Sequence, residues 1–471
     1  MIARWCTMAM IGIILFWGVA ANADENSDLN LIPQGVTQPQ SPTPEPPTAS
    51  AGNQRIYLEN AAVASSLRSN LLVPFPPPSP PDWQERLFLD ARKQWQVNDQ
   101  LSFTLSDRFN LRAESDIAVP SHENVINEFR EGYVSWQLLE RTYLDAGRIN
   151  LKSGAAIGFN PTDFFKTRAV VEPLSVDPTV LREDRLGTLM VEGQHIWEGA
   201  AVLVAFAPKL YNPTAVYNNS NLRSLDPSFD RTNANDRLLI KGNVTLYDDL
   251  APEFLVYRQG NQTSFGANVT ESIGQKTVAY AEWAGGERSS LIDAALRYGH
   301  ETGTLPPNAS GALPEDPRRH FQNQLSVGAS YTTESKITFN LEYHFDQAAF
   351  SRRDWDNWFR IGAANVGSPS IPRELWFIRS YALDQQEPIS EHSLFLRADW
   401  VDAFVPNLEL VGFINTDLYD GSSLVQLEAD YYLSNAWTVG GLVIADLGRK
   451  HSDFGSLPQA GSALLKLARY F

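Results

Sequence analysis

The side chains with the most chemical capacity in this chain fall on one short stretch: Glu342, His344 and Asp346, each two positions from the next. In an extended strand that spacing turns all three to one face. Two carboxylates and an imidazole placed so could ligate a metal, or pair as base and orienting acid. A hydrolase would further need a serine beside the histidine, which on one strand face means His-x-Ser or Ser-x-His. His392 and Ser393 are adjacent and point to opposite faces, and Ser121 with His122 falls in an expected loop. Asp226, Asp230, Asn233, Asn235 and Asp236 could offer oxygens to Ca2+, but they lack the glycine turn and fixed spacing of an EF-hand. The single cysteine, Cys6, excludes an intrachain disulfide and any cysteine-based metal site. There is no glycine-rich phosphate loop. The expectation is therefore no enzyme, no catalytic residue, no metal and no cofactor, with His344 one polar residue among many on a wetted wall.

A second group is cationic. Arg108 and Arg112 share one face of the alternating stretch Leu101 to Ala113, and Arg130 and Arg148 follow nearby, with Glu128 beside them. Guanidiniums gathered along a narrow passage would focus field and favour anionic solutes. The chain as a whole is acidic, 38 Lys+Arg against 55 Asp+Glu for a net charge of -17, which disfavours nucleic acid as a partner.

The elements that would carry these residues read as strands. In Leu101 to Ala113, Leu101, Phe103, Leu105, Phe109 and Leu111 alternate with Ser102, Thr104, Ser106, Arg108, Asn110 and Arg112. Lys336 to Phe345 and Leu424 to Leu433 repeat the pattern. Ten-residue segments with one apolar and one polar face, continuing to the C-terminus, predict an all-β chain, an antiparallel transmembrane β-barrel with a polar lumen. Short joints at Asn98-Asp99, Glu140-Arg141, Asp248-Asp249, Glu334-Ser335 and Ser434-Asn435 alternate with long stretches: Ser115 to Ile126, Ser153 to Asp184, Pro208 to Asn235, Gly285 to Arg319 and Phe350 to Ser390. A barrel with short turns at one end and long loops at the other accounts for that alternation, and a soluble sandwich does not. About 17 strands can be counted. Because single-chain bacterial barrels are even, 16 to 18 are expected, with a missed strand possible in Arg55 to Leu72.

The N-terminus divides into two further parts. A basic start, the apolar run Met8 to Val19 and Ala21-Asn22-Ala23 read as a signal peptide over residues 1–23. Residues 24–82 read as a disordered Pro-rich linker with a short amphipathic helix in Arg55 to Leu72, leaving 83–471 for the barrel. Phe471 ends an alternating segment and suits a C-terminal signal for the barrel-assembly machinery. Phe159, Asp163, Phe164 and Phe165 in the long stretch Ser153 to Asp184 are expected to fold into the barrel mouth as a constriction, since such aromatics are costly to leave in water.

The block Arg130-Glu131-Gly132-Tyr133, then Gly147-Arg148, then Asn160-Pro161-Thr162-Asp163-Phe164-Phe165 resembles a group of proteobacterial outer-membrane porin-like proteins that share the plan of alginate-export-type barrels. Arg182 to Gly187 and Tyr419 to Ser422 look like this group as well, whereas Ser153-Gly154 stands where a Trp-Gly pair is expected. The resemblance implies a barrel in the outer membrane, in contact with its lipid, and leaves cargo open. Together these readings predict a porin-like channel for passive diffusion of small polar or anionic solutes. The alternatives are a polysaccharide export barrel and an outer-surface binding or structural barrel without a conducting pore.

Overall fold

The computed structural model describes residues 54–78, 80–114, 125–170, 174–214, 227–247, 250–306, 312–316, 318–367 and 369–471. The signal peptide and most of the Pro-rich segment lie outside these residues, as do Ser121, His122, Asp226 and the joint Asp248-Asp249.

The chain forms one 18-stranded antiparallel sheet. The first six strands are β1 (Gln54–Leu67), β2 (Trp83–Asn98), β3 (Leu101–Glu114), β4 (Val125–Leu139), β5 (Thr142–Ile149) and β6 (Thr188–Trp197). The next six are β7 (Ala200–Ala207), β8 (Arg237–Val244), β9 (Glu253–Gln259), β10 (Gln262–Ile273), β11 (Thr277–Arg288) and β12 (His320–Thr332). The last six are β13 (Ile337–Asp346), β14 (His392–Trp400), β15 (Leu408–Asp417), β16 (Ser423–Ser434), β17 (Trp437–Leu447) and β18 (Gln459–Tyr470). Each strand pairs with its sequence neighbours, and β1 pairs with β18 from Tyr57↔Tyr470 onward, so the sheet closes on itself with no free edge.

The alternation in sequence is the alternation of faces. On β3, Ser102, Thr104, Ser106, Asn110 and Arg112 are buried toward the lumen while Phe103, Phe109 and Leu111 stand outward. Outward Leu427, Val443 and Leu465 are more than half exposed, and Trp95, Trp136, Trp197 and Trp437 ring the short-turn end. A continuous apolar belt with an aromatic girdle suits hydrocarbon rather than water, and closure satisfies every ladder hydrogen bond, as crossing a bilayer with strands requires.

One sequence expectation is corrected. Arg55 to Leu72 is not a helix: Gln54–Leu67 is the missing strand β1, so the barrel begins at Gln54 rather than at residue 83, and the even count is 18. Its alternation is blurred because its inward face is also apolar, Ala61 and Val63 packing on Leu442 and Leu464. In β4 the face switches at a bulge: Ser106 pairs with Glu131 and Asp107 with Phe129, so Arg130 is the extra residue. Glu128 and Arg130 point inward before it; Val134 and Trp136 point outward after it. A single period-two reading through Glu128 to Leu139 fails for that reason.

Long connections gather at one end, and two of them, β11–β12 and β13–β14, hold three helices not anticipated from the sequence. These are α3 (Leu291–Glu301), α4 (Arg352–Ala364) and α5 (Ser370–Gln385); two shorter helices, α1 (Pro178–Glu183) and α2 (Phe229–Thr232), precede them. Helix α4 begins with a capping box, the Ser351 hydroxyl accepting from Asp354 N–H while the Asp354 carboxylate accepts from Ser351 N–H. Trp355, Trp358, Phe359 and Gly362 then recur on its buried face. They join α3, α5 and Val73 of the β1–β2 connection in one apolar core, forming a cap at the long-loop end. The Arg379 guanidinium lies 5.1, 5.2 and 5.3 Å from the rings of Trp355, Trp358 and Trp376 and pairs with Asp453.

Candidate functional site

The connection from β5 to β6, residues 150–187, runs inward instead of outward. Its backbone N–H groups at Ala156, Ile157 and Gly158 donate to wall carboxylates on the far side: Ala156 to Glu282 at 2.6 Å, Ile157 and Gly158 to Glu342 at 2.6 and 2.8 Å. The Thr162 hydroxyl adds a bond to Glu282 at 3.2 Å. Further along, Val176 N–H donates to Gln426 at 2.9 Å and Asp177 accepts from Arg397 at 3.1 Å. Strands β11, β13, β14 and β16 supply these partners, so a segment rooted between β5 and β6 crosses the lumen to reach them.

Glycine makes the crossing possible at two places. A Cβ on Gly154, whose φ is +83°, would lie 2.4 Å from both Glu282 carboxylate oxygens. One on Gly158 would lie 2.6 Å from His344 and from Phe395. Only bare backbone fits that close to the wall. His344 is held in this contact: its Nε2 is 2.7 Å from Glu342, and Phe159 meets its ring edge-on at 5.9 Å. Glu342 also accepts from the Tyr280 hydroxyl at 2.6 Å. The Glu342–His344 pair thus anchors the segment, while Asp346 lies apart, accepting from Gln324 and from Ala348 N–H. No group of three His, Cys, Asp or Glu placed to hold a metal ion occurs among the described residues.

The expected constriction residues sit in this inner segment. Phe164 stacks on Tyr257 of β9 at 4.4 Å, and Phe165 meets the same ring edge-on at 5.9 Å. Asp163 accepts from both terminal nitrogens of Arg185 at 2.8 and 3.1 Å, tying the two limbs of the segment together. Burial alone would raise the Asp163 carboxyl, but Arg185 and Arg182 outweigh it and hold it below the usual carboxylate range.

The arginines are drawn into a second tie. Asp90 of β2 accepts from Arg108 at 2.8 Å and Arg130 at 2.7 Å, with Arg55 at 3.6 Å. Asp184 of the inner segment accepts from the same Arg108 and Arg130 at 2.7 Å each, and Glu128 lies 3.9 Å from Arg108. Arg112 is inward on the same strand, 3.5 Å from Glu114. Arg148 is fully buried, donating to the carbonyls of Gly187 and Pro227 between the Phe129 and Phe229 rings. The sequence pointed to the arginines but not to Asp90 and Asp184 as their counterparts, nor to Glu282 and Glu342 as acceptors for the inner segment's backbone, because each partnership crosses between elements distant in the chain. The nearest available signal was the pair Gly154 and Gly158, spaced for close approach of backbone to a wall.

Among the described residues, two cavities border the inner segment. The first, about 170 Å³, is bounded by Phe164 and Lys166 of the segment, Gln262 and Gln324 of the wall, Arg297 of α3 and Tyr381 of α5. The second, about 210 Å³, is bounded by Leu174, Leu181 and Asp184 of the segment and by Arg108, Glu128 and Lys466 of the wall. Cap helices line the first and not the second.

The geometry defines a closed membrane-type barrel with a lumen divided by an inward segment. Neither a protein-family model nor a curated protein matches the sequence. Among solved structures, it is similar to OccK5 (OpdH) of Pseudomonas aeruginosa, 9% identical over 89% of this chain and 99% of that one, TM-score 0.49. OccAB1 of Acinetobacter baumannii is 10% identical over 91% and 99% of the two chains, TM-score 0.48. OmpF of Salmonella typhi is 10% identical over 89% and 98%, TM-score 0.40. These likenesses are loose, and the strand pairing and lumen geometry carry the functional reading.

Proposed function

We propose that this chain is an outer-membrane porin-like channel for passive diffusion of small polar or anionic solutes. The observation that carries the reading is the inner segment 150–187, pinned across the lumen by Glu282 and Glu342 so that cavities lined by charged side chains remain beside it. In this reading the segment narrows the pore and solute passes beside it. Passage needs no chemical step; width and lining charge select. In this reading Arg108 and Glu128 border the passage, Arg112 and Arg130 back them, and Phe159, Asp163, Phe164 and Phe165 form the constriction. Arg148 braces the end of the segment. Phe471, whose ring lies 5.1 Å from the outward Arg469 guanidinium, serves as the assembly signal. Export of a polysaccharide, the alternative implied by the alginate-export resemblance, is disfavoured by a lumen crossed by chain and capped by helices.

Planar-bilayer recording of the refolded protein tests this. Discrete ion-conducting steps are expected, and removing Phe159 to Lys166 should raise their amplitude. A correctly assembled barrel that never conducts would overturn the channel reading, and unchanged conductance in the deletion would place the constriction elsewhere.

A further inference from the structure

The two cavities differ in chemistry. The second has four acidic lining residues, Glu59, Glu128, Asp184 and Glu428, against Arg86, Arg108 and Lys466. Its remaining surface includes Val170, Leu174, Val180 and Leu181 from the segment facing Leu442 and Leu464. The first cavity is balanced, with Asp163, Asp346 and Glu387 against Lys166, Arg288 and Arg297. Most of these charges are engaged within the protein: Glu387 has Arg288 at 3.7 Å and Lys166 at 3.8 Å, Asp163 has Arg185, Asp346 accepts from Gln324, and Arg297 donates to Ser289 at 3.1 Å. The lining presents little net charge to an ion.

What the first cavity does present is hydrogen-bonding capacity of both kinds. Four glutamines, Gln259, Gln262, Gln324 and Gln385, line it together with Ser264 and Ser289. Each primary amide offers two donors and an acceptor in one plane. Gln324 already donates to Asp346 at 2.9 Å and Glu387 at 2.5 Å, which fixes its plane, and Gln259 accepts from Tyr257 at 2.8 Å. The side-chain amides of Gln262 and Gln385 have no protein partner among the described residues. A hydroxyl is donor and acceptor at once, so a neighbourhood of amides, paired carboxylates and guanidiniums satisfies a ring of hydroxyls better than it satisfies an ion or an apolar body. Tyr381, on α5, adds a ring.

We infer that the first cavity is a binding site for a neutral, hydroxyl-rich solute of monosaccharide size, roofed by α3 and α5. This deepens the channel reading, on which it rests for the route of entry, by assigning one of the two cavities a class of solute.

The test uses the full-length protein folded in detergent, titrated calorimetrically with glucose and myo-inositol, and with succinate as a charged comparator. Saturable binding of at least one polyol is expected, with none of comparable strength for succinate. The double variant Gln262→Leu/Gln324→Leu, its fold checked by heat-modifiable migration, should weaken that binding by about tenfold or more, as loss of one or two hydrogen bonds implies. Gln385→Leu, on a helix outside the barrel wall, should weaken it too and serves if the double variant does not fold. Glu428→Gln, in the other cavity, should leave polyol binding unchanged. Absence of saturable polyol binding, or binding untouched by the glutamine variants, or tighter binding of succinate, overturns the inference. Bilayer conductance measured in parallel separates the two readings. A conducting barrel that binds no polyol defeats this site alone, and a polyol-binding barrel that never conducts defeats the channel alone.

Discussion

The inner segment 150–187 and the helical cap are both built from long connections at the same end of the barrel, yet the balance of forces that holds them differs. The segment lies in a polar lumen and is fixed by carboxylates that receive its backbone N–H groups and by arginines that grip Asp163 and Asp184. The cap excludes water and is fixed by Trp355, Trp358, Trp376 and their apolar neighbours. A chain crossing a polar lumen must satisfy its backbone polar groups one by one, with Leu151, Phe165 and Leu174 adding apolar contacts to the wall. A lid over the pore can build a core. The two meet where Arg168 of the segment pairs with Asp384 of α5 at 3.0 Å.

The sharpest way to separate them is Trp358→Ala. Trp358 is fully buried, meets Trp355, Phe359 and Trp376 edge-on, and donates to the Leu375 carbonyl at 3.0 Å. Its loss should cost the cap ~3–5 kcal/mol, as other large-to-small core changes do. Limited proteolysis should then cut within residues 347–391 while the barrel keeps its heat-modifiable migration. A barrel that unfolds along with the cap would show the two regions to be one cooperative unit.

Gly158→Ala attacks the other region. The added methyl must displace His344 or Phe395, both buried in the wall, for ~1–3 kcal/mol of strain. The segment should lift from Glu342, seen as added open-channel noise with cap proteolysis unchanged. A quiet wild-type-like channel would mean that the segment is not set by this contact.

Smaller again is the effect of Arg108→Gln on ion preference. Asp90 retains Arg130 and Arg55, so the fold should survive, while Asp184 loses one of its two cations beside the second cavity. The reversal potential under a salt gradient should move toward cations. The shift should shrink at 1 M salt, where the Debye length falls to ~3 Å. An unmoved potential would make Arg108 a purely structural tie.

How far the sequence disclosed each region follows from the same contrast. Wall strands such as β3, β13 and β16 are legible because one face meets lipid and the other water, which writes period two directly into the residues. β1 escaped because its lumen face is apolar as well, and the phase of β4 escaped because a bulge at Arg130 carries no residue signature. The inner segment was recognisable by its length and aromatics, but its far-wall anchors come from strands 126 to 250 positions away. The cap was missed although Ser351-x-x-Asp354 followed by Trp355, Trp358, Phe359 and Gly362 has helical spacing and a capping box. That signal was present and outweighed by the expectation that long connections of a barrel are loops.

The finest test of the polar hold is its response to acid. Asp163 is buried, which raises its carboxyl, but Arg185 and Arg182 bring it below its ordinary value, so the seated segment binds the proton more weakly than a released one. The stabilisation is then complete above the ordinary aspartate value of ~3.9 and is lost as pH falls through the lower, seated value. Between pH 7 and pH 5 this tie should not weaken. Below ~pH 4 single-channel noise should rise. Asp163→Asn should be noisier than wild type at neutral pH and should lack that part of the acid response, since nothing at position 163 remains to titrate. Cap proteolysis at neutral pH should be the same in both proteins, because the Trp355–Trp358–Trp376 core does not touch this carboxylate. Equal acid responses in wild type and Asp163→Asn would shift the pH-sensitive hold from Asp163 to the wall carboxylates Glu282 and Glu342, which Glu342→Gln would then expose.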